Sequence, residues 1–182
     1  MSDQEIYKPI PGFDNYDISN FGSIINKNNN KILKYRKDKD GYLRTNLYRD
    51  SKPVTVRVHR LVAENFIENP ENKRLVDHVD RNIENNYYLN LRWATHSENT
   101  LNSKVSTQNT SGYKGISFIK SRNKYQLTMV LNGKTSFVGY FATKEEAVAR
   151  WNECAPEIYK EFQPAGINIF SPDVQPTNIT VS

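Results

Sequence analysis

Asp77 and His78 stand side by side in a short apolar run, Leu75 to Val79. Asn85, Asn86 and Asn90 follow, and Asn99 comes after Thr95 and Glu98. These residue types suit phosphodiester hydrolysis. A base must take a proton from water, and histidine, with an intrinsic pKa near ~6.5, is matched to that task. A hard cation such as Mg²⁺ takes oxygen ligands from one or two side chains and leaves the rest of its shell to water and phosphate. The carboxylate of Asp77 and the amide oxygen of Asn99 are ligands of that kind, and a metal so held neutralises charge on the phosphate and the leaving oxygen. Neighbours on a strand point to opposite faces, so Asp77 and His78 bracket a phosphate and do not form one clamp. His59 and His96 allow a competing three-histidine zinc site with His78. Spacing alone leaves a further alternative open, an asparagine-rich loop produced by composition.

The elements around these residues read as strand, loop, strand, helix. Val58, Leu61, Val62 and Phe66 share one helical face, and Pro70 stops that helix. Leu75 to Val79 is a short strand, Arg81 to Asn90 a loop, and Leu91 to Ala94 a second strand. Thr95 and Glu98 have the spacing of a capping box, which predicts a helix to about Ser103. Upstream, short β-prone runs (Tyr16–Ile18, Ser23–Ile25, Tyr42–Tyr48, Val54–Val56) are punctuated by Gly12, Gly22 and Gly41. That first segment is too small for a core of its own and must pack on its neighbour.

A polar stretch, Lys104 to Gly112, reads as a hinge. Beyond it, Gly115–Ile119, Lys124–Leu131 and Lys134–Phe141 read as three strands, with Asn132-Gly133 as a hairpin turn. A second capping box, Thr143 and Glu146, opens a helix carrying Ala147, Val148, Trp151, Ile158 and Phe162 on one side. Pro156 should kink or split it. In the middle strand Tyr125, Leu127, Met129 and Leu131 should face the helix, and Lys124, Gln126, Thr128 and Val130 should face out. A sheet with one polar, basic face can lie in a DNA groove. Lys114, Lys120, Arg122, Lys124 and Lys134 are candidates for phosphate, Gln126 and Thr128 for bases. Arg81 and Arg92 are candidates for phosphate near the first site. Trp93, Trp151 and Cys154 read as packing residues.

Composition sets outer limits. The chain has 182 residues, a formal charge of +5, a pI near 9.2 and a mean hydropathy of −0.74. Small modules with modest cores fit this better than one large core. No run approaches the ~18–20 apolar residues of a membrane span, and the N-terminus lacks a signal-peptide pattern. The single cysteine excludes an internal disulfide and suits a reducing, cytoplasmic setting. Charge is uneven. From Val105 to Ala142 there are five basic residues and no acidic one, whereas Val56 to Lys104 has seven of each. Basic flanks around a neutral middle point to a polyanion partner, with a solvated basic surface as the alternative.

Val58-His-Arg-Leu-Val-Ala63, Val76-Asp-His-Val-Asp80, Asn85-Asn86, Asn90-Leu-Arg-Trp93, Thr95 and Glu98-Asn99 together resemble the HNH homing endonucleases of phages and mobile introns, which have a ββα-metal fold. Ile10 to Phe13, Tyr16 to Gly22 and Gly41 to Leu43 resemble the modular DNA-binding motif that often precedes this nuclease. Ser111 to Ile116, Tyr125, Asn132 to Lys134, Gly139 to Phe141 and Glu146-Ala147 are similar to the APETALA-type, ethylene-response-factor-like DNA-binding domain. The resemblance implies His78 as general base, Asp77 and Asn99 as ligands of Mg²⁺ or Mn²⁺, and Asn90 as the asparagine that holds the loop. Two departures stand out. Asp80-Arg81-Asn82 replaces the usual Asp-Gly-Asn, and Gln126 and Val130 stand where relatives often carry arginine.

The expectation is therefore an α+β chain of small modules. Residues 1–56 form the strand-rich DNA-binding motif and 57–104 the ββα-metal nuclease. Residues 105–112 form a linker, 113–162 a three-stranded antiparallel sheet packed on one helix, and 163–182 a tail. The expected function is a metal-dependent endonuclease acting at a specific site on double-stranded DNA, as a monomer or homodimer, outside the membrane. The rivals are a sequence-specific DNA-binding regulator with a degenerate core, an RNA-directed nuclease and a zinc-dependent structural module.

Overall fold

The computed structural model describes residues 4–103, 109–131 and 134–159. It divides into two compact units, 1–102 and 103–182. The architecture is α+β, with several small sheets and three α-helices among the described residues.

The first unit begins with an antiparallel meander of β1 (Tyr7–Pro9), β2 (Tyr16–Ser19), β3 (Ile24–Asn26) and β4 (Lys31–Ile32). A second sheet has β5 (Arg36–Lys37), β6 (Leu43–Arg49) and β7 (Lys52–Arg57) in that order. Asp50 and Ser51 join β6 to β7 and both have positive φ, the geometry a two-residue hairpin loop needs. Helix α1 (Val58–Phe66) starts directly from β7 and ends four residues before Pro70. It buries Val58, His59, Leu61, Val62 and Ala63, the face that the apolar spacing predicts. Strands β8 (Leu75–His78) and β9 (Leu91–Ala94) pair antiparallel, and α2 (His96–Asn102) follows. The capping box forms: Thr95 N donates to Glu98 Oε2 at 2.6 Å and Glu98 N to Thr95 Oγ1 at 3.3 Å.

One core runs through this unit. Ile10, just after β1, Tyr16, Ile18 and Ile24 from the first sheet and Leu47 from the second meet Val58, Leu61 and Val62 of α1 and Val76 and Leu91 of the paired strands. No break in packing falls near residue 56. Neither half has enough apolar residues to close a core alone, so the strands of the first 56 residues supply the floor on which the following elements rest.

The second unit has β10 (Ile116–Ile119), β11 (Lys124–Leu131) and β12 (Lys134–Phe141) as an antiparallel sheet, with α3 (Lys144–Tyr159) packed on it. Ala147, Val148, Trp151 and Ala155 of the helix and Ile116, Leu127 and Met129 of the sheet are buried. Thr143 Oγ1 accepts from Glu146 N at 3.2 Å, while Glu146 Oε2 accepts from Ala142 N at 3.0 Å. The expected break at Pro156 does not occur, since α3 runs through it to Tyr159. Pro156 lies in the last turns, where losing one donor interrupts little of the helix. The Asn132-Gly133 turn, part of the 105–112 linker, Phe162 and the 163–182 tail lie outside the described residues.

A shared core makes a specific prediction. Leu47 is fully buried, and Leu47→Ala should lower stability by about 2–5 kcal/mol. Denaturant unfolding followed at Trp93 should show the β8–β9–α2 region losing its structure in the same transition as the N-terminal strands. Separate transitions would show two independent cores.

Candidate active site

Asp77 and Arg92 sit directly opposite each other on β8 and β9, and cross-strand partners share a face. The Arg92 guanidinium donates to Asp77 Oδ2 from Nε at 2.9 Å and lies 2.8 Å from it at Nη2. From the far end of α2, Asn102 Nδ2 donates to Oδ1 and Oδ2 of Asp77, each at 3.0 Å, and to the His78 carbonyl at 2.7 Å. Asp77 is 6% exposed and Asn102 2%. Burying a carboxylate without such partners is costly.

His78 points the other way, into a nest of rings. The His59 ring meets it edge-on at 5.3 Å, and Tyr42 lies 6.0 Å from His78 and 4.7 Å from His59. The hydrogen-bond partner of the His78 ring is Asn86, whose Oδ1 is 3.4 Å from Nε2, a long contact. Asn86 Nδ2 donates to Glu84 O, which fixes which end of the amide faces the ring. Burial lowers the His78 pKa, against the opposing pull of Asn86, Asp80 and Asp77. His59 is held lower still, at about 3, chiefly by burial and then by His78, Arg57 and Arg60. Both rings are therefore neutral at pH 7.

Asn90 fastens the loop between the strands. Its backbone carbonyl accepts from Val79 N at 2.8 Å, its Oδ1 from Asp80 N at 3.0 Å, and its Nδ2 donates to Asp80 Oδ1 at 2.9 Å and to Asn85 O at 2.8 Å. Asp80 also accepts from Asn82 and Asn85. Burial raises the Asp80 pKa, but these hydrogen bonds outweigh it and the net shift is downward.

The sequence-derived candidates fall into place unevenly. Asp77, His78 and Asn90 converge. Asn99 lies half-buried on α2, and among the described residues no hydrogen bond joins its side chain to Asp77. The residue that does so is Asn102, one turn further along the same helical face. Asn102 gave no sequence signal, because its role depends on how the helix docks. Arg92, a phosphate candidate by sequence, pairs with Asp77. Arg81 takes the turn's left-handed position (φ 62°) where the usual pattern has glycine, and its Nε lies 3.4 Å from Asn102 Oδ1. His96 is exposed at the start of α2, so the three-histidine zinc arrangement is not formed. Among the described residues no cluster of three or more His, Cys, Asp or Glu side chains could hold a metal. The donor chemistry still fits a lightly held hard cation. Asp77 is a hard carboxylate-oxygen donor whose Oδ1 accepts from Asn102 Nδ2 and keeps lone-pair capacity.

In the second unit Lys120, Arg122, Lys124 and Lys134 are exposed, whereas Lys114 is half-buried and donates to Ser103 Oγ at 2.8 Å. Gln126 and Thr128 are half-buried, on the sheet face away from Leu127 and Met129. That face carries two rings the alternation does not foresee. A register shift pairs Leu127 with Gly139 but Thr128 with Phe137, so Val138 is passed over. Phe137 and Tyr140 therefore share the outer face, with ring centroids 5.0 Å apart and the Arg122 guanidinium 4.9 Å from the Tyr140 ring.

Comparison with known proteins places these features. The NUMOD4 motif matches residues 5–48, and the HNH endonuclease family matches residues 56–101. The chain is 40% identical over 118 residues to the DNA endonuclease I-HmuI of Bacillus phage SP01, covering 64% of this chain and 68% of that protein. It is 33% identical over 110 residues to the H-N-H endonuclease F-TflII of Escherichia phage T5, covering 59% and 57%. A solved structure described as DNA binding and cleavage by the HNH homing endonuclease I-HmuI aligns with a TM-score of 0.52 at 31% identity, over 84% of this chain and 82% of that one. The chain belongs to the HNH endonucleases. Within that family it carries a NUMOD4 motif and is a homologue of I-HmuI.

The buried histidines give a pH prediction. His59 has a folded pKa of about 3 against 6.5 for the free side chain. Between those values the unfolded chain binds the extra proton, so stability is lost as pH falls through that window, by about 1.4 kcal/mol per pH unit from this group. Thermal melts between pH 7.5 and 4 should show the loss, and His59→Gln should flatten it. An unchanged slope in the variant would place the titrating group elsewhere.

Proposed function

We propose that this chain is a metal-dependent, site-specific DNA endonuclease in which His78 is the general base. The neutral His78 ring donates from Nε2 to Asn86 and presents Nδ1 to water, which it deprotonates for attack on a phosphodiester of duplex DNA. Asp77, with Asn99 on the adjoining helix, would hold a divalent cation, Mg²⁺ or Mn²⁺, which supplies charge neutralisation at the phosphate and the leaving 3′-oxygen. Arg92 and Asn102 orient the Asp77 carboxylate, and Asn90 keeps the loop from drifting away from it. The products are 5′-phosphate and 3′-hydroxyl ends. One observation carries this reading: two adjacent, almost fully buried residues are turned to opposite sides, a hydrogen-bonded neutral imidazole on one and a hard-oxygen donor on the other.

The proposed division of labour gives residues 1–56 and 57–104 to the nuclease body, and 113–162 to an APETALA-like module that binds DNA in addition. The acid-free basic stretch of that module and the exposed rings beside Arg122 support the second assignment.

His78→Ala should abolish cutting of source-genome DNA in Mg²⁺ and leave DNA affinity nearly intact. EDTA should stop the wild-type protein as well. Cutting by His78→Ala at the wild-type rate would refute the base assignment, and tight binding with no new ends in any reaction would favour the DNA-binding regulator. For the second unit, Arg122→Ala with Lys124→Ala should weaken binding across sequences and reduce the logarithmic salt slope by about 1 for each phosphate no longer neutralised. An unchanged slope would remove this face from the DNA interface.

A further inference from the structure

The turn after β2 lies against the loop that orients His78, residue by residue. Asn20 O accepts from Tyr88 N at 2.9 Å. Phe21 stacks on Tyr87 with ring centroids 4.7 Å apart and planes 25° from parallel. Gly22 backs onto Asn86, and a Cβ built at Gly22 would stand 2.9 Å from Asn86 Cβ and 3.1 Å from Val58 Cγ1. Three consecutive residues of the N-terminal motif thus meet three consecutive residues of the nuclease loop.

The turn is itself fixed. Gly22 has φ +92° and its N donates to Ser19 O at 3.0 Å. The Tyr35 hydroxyl donates to Gly22 O at 2.8 Å and accepts from Ile24 N at 2.7 Å. Tyr35 in turn packs against the shared core. Asn86 is 5% exposed, pinned at Nδ2 by Glu84 O and backed by Gly22, and its Oδ1 faces the His78 ring.

We infer that the N-terminal motif positions the catalytic base: its Asn20-Phe21-Gly22 turn sets Asn86, and Asn86 holds His78 in the tautomer protonated at Nε2, leaving Nδ1 free to accept a proton. Which ring nitrogen of a neutral histidine carries the proton is decided by the hydrogen bond made by the other side of the ring. The inference rests on His78 being the base. It adds Asn86 and Gly22 as positioning residues and gives the motif a task besides any contact with DNA. Gly22 suits the position because any side chain there would have both a disfavoured φ and a collision with Asn86.

The test uses the full chain with ¹⁵N-labelled histidine. The imidazole nitrogen spectrum at pH 8 reports the tautomer, and His78→Ala assigns the His78 signals. DNA affinity and single-turnover cleavage are measured separately on the same proteins. Wild type should show one His78 tautomer, protonated at Nε2. Asn86→Ala and Gly22→Ala should show a mixture and cut about 10–100-fold more slowly, with affinity almost unchanged, the scale expected when a partner that orients a reacting group is removed. Asn86→Asp retains an acceptor facing Nε2 and should restore both the single tautomer and most of the rate. Should Gly22→Ala fail to fold, Phe21→Leu removes the stacked ring and should act in the same direction, more weakly. Asn86→Ala with a wild-type tautomer and rate would overturn the inference. So would slow cleavage by Gly22→Ala or Phe21→Leu with the tautomer unmoved. Cleavage by His78→Ala at the wild-type rate sinks the base assignment instead, and the nitrogen spectra of the Asn86 variants still decide whether Asn86 holds the ring.

Discussion

The Asp77 carboxylate, buried between Arg92 and Asn102, is the interaction on which the nuclease segment depends. Helix α2 has seven residues, and Asn102 is its buried side chain. A helix this short is not stable by itself in water and must be held by tertiary contacts. Here the contact is polar: one amide spans both Asp77 oxygens and the neighbouring His78 carbonyl. Arg92 closes the other side through the strand register. Strand, strand and helix are joined at one charged group, and removing any one partner leaves a desolvated charge or an unsatisfied amide, each costly in a low-dielectric interior.

On the opposite side of the same strand the constraint is reversed. The surroundings of His78 favour its neutral state. His59 and Tyr42 pack against the ring, and burial disfavours a proton on either imidazole. A cation on one ring would also repel a cation on the other. The strand therefore carries a hydrogen-bonded carboxylate on one face and a neutral imidazole on the next residue. Alternation along β8 keeps the two environments apart, although the residues are covalent neighbours.

Much of this was legible in the sequence wherever local rules govern. The α1 face, the two short strands and the Thr95–Glu98 capping box follow from periodicity and spacing, and the structure forms each of them; at Thr143 the cap forms, but Glu146 reaches back to Ala142 N in place of Thr143 N. What was not legible depends on contacts between distant segments or on a local exception to a rule. The β6–β7 hairpin turns on Asp50-Ser51, which lacks the glycine that usually signals positive φ. Arg81 adopts a left-handed conformation for which glycine is the ordinary choice. Phe137 and Tyr140 are three residues apart, and alternation assigns them to opposite faces; one skipped residue at Val138 brings them together. Asn99 and Asn102 are both asparagines on one face of a helix, and only the docking of that helix on β8 determines which of them meets Asp77.

The shared core explains why the strand-rich motif and the nuclease segment are one folding unit. Residues 1–56 supply Ile10, Ile18, Ile24 and Leu47, while the next segment supplies the α1 face and the walls of the β8–β9 ribbon. A separate DNA-binding module would need only a tether to the nuclease. Burying Leu47 and Val58 in one core instead fixes the first sheet relative to α1, and therefore fixes Gly22 relative to Val58 and Asn86. Rigid packing at native density transmits position over such distances without a hinge. The second unit has its own helix and sheet and a separate buried set centred on Leu127, Met129 and Trp151. The first 56 residues, by contrast, share one core with the elements that carry His78, so a substitution at a buried position such as Ile18 or Leu47 acts directly on their support.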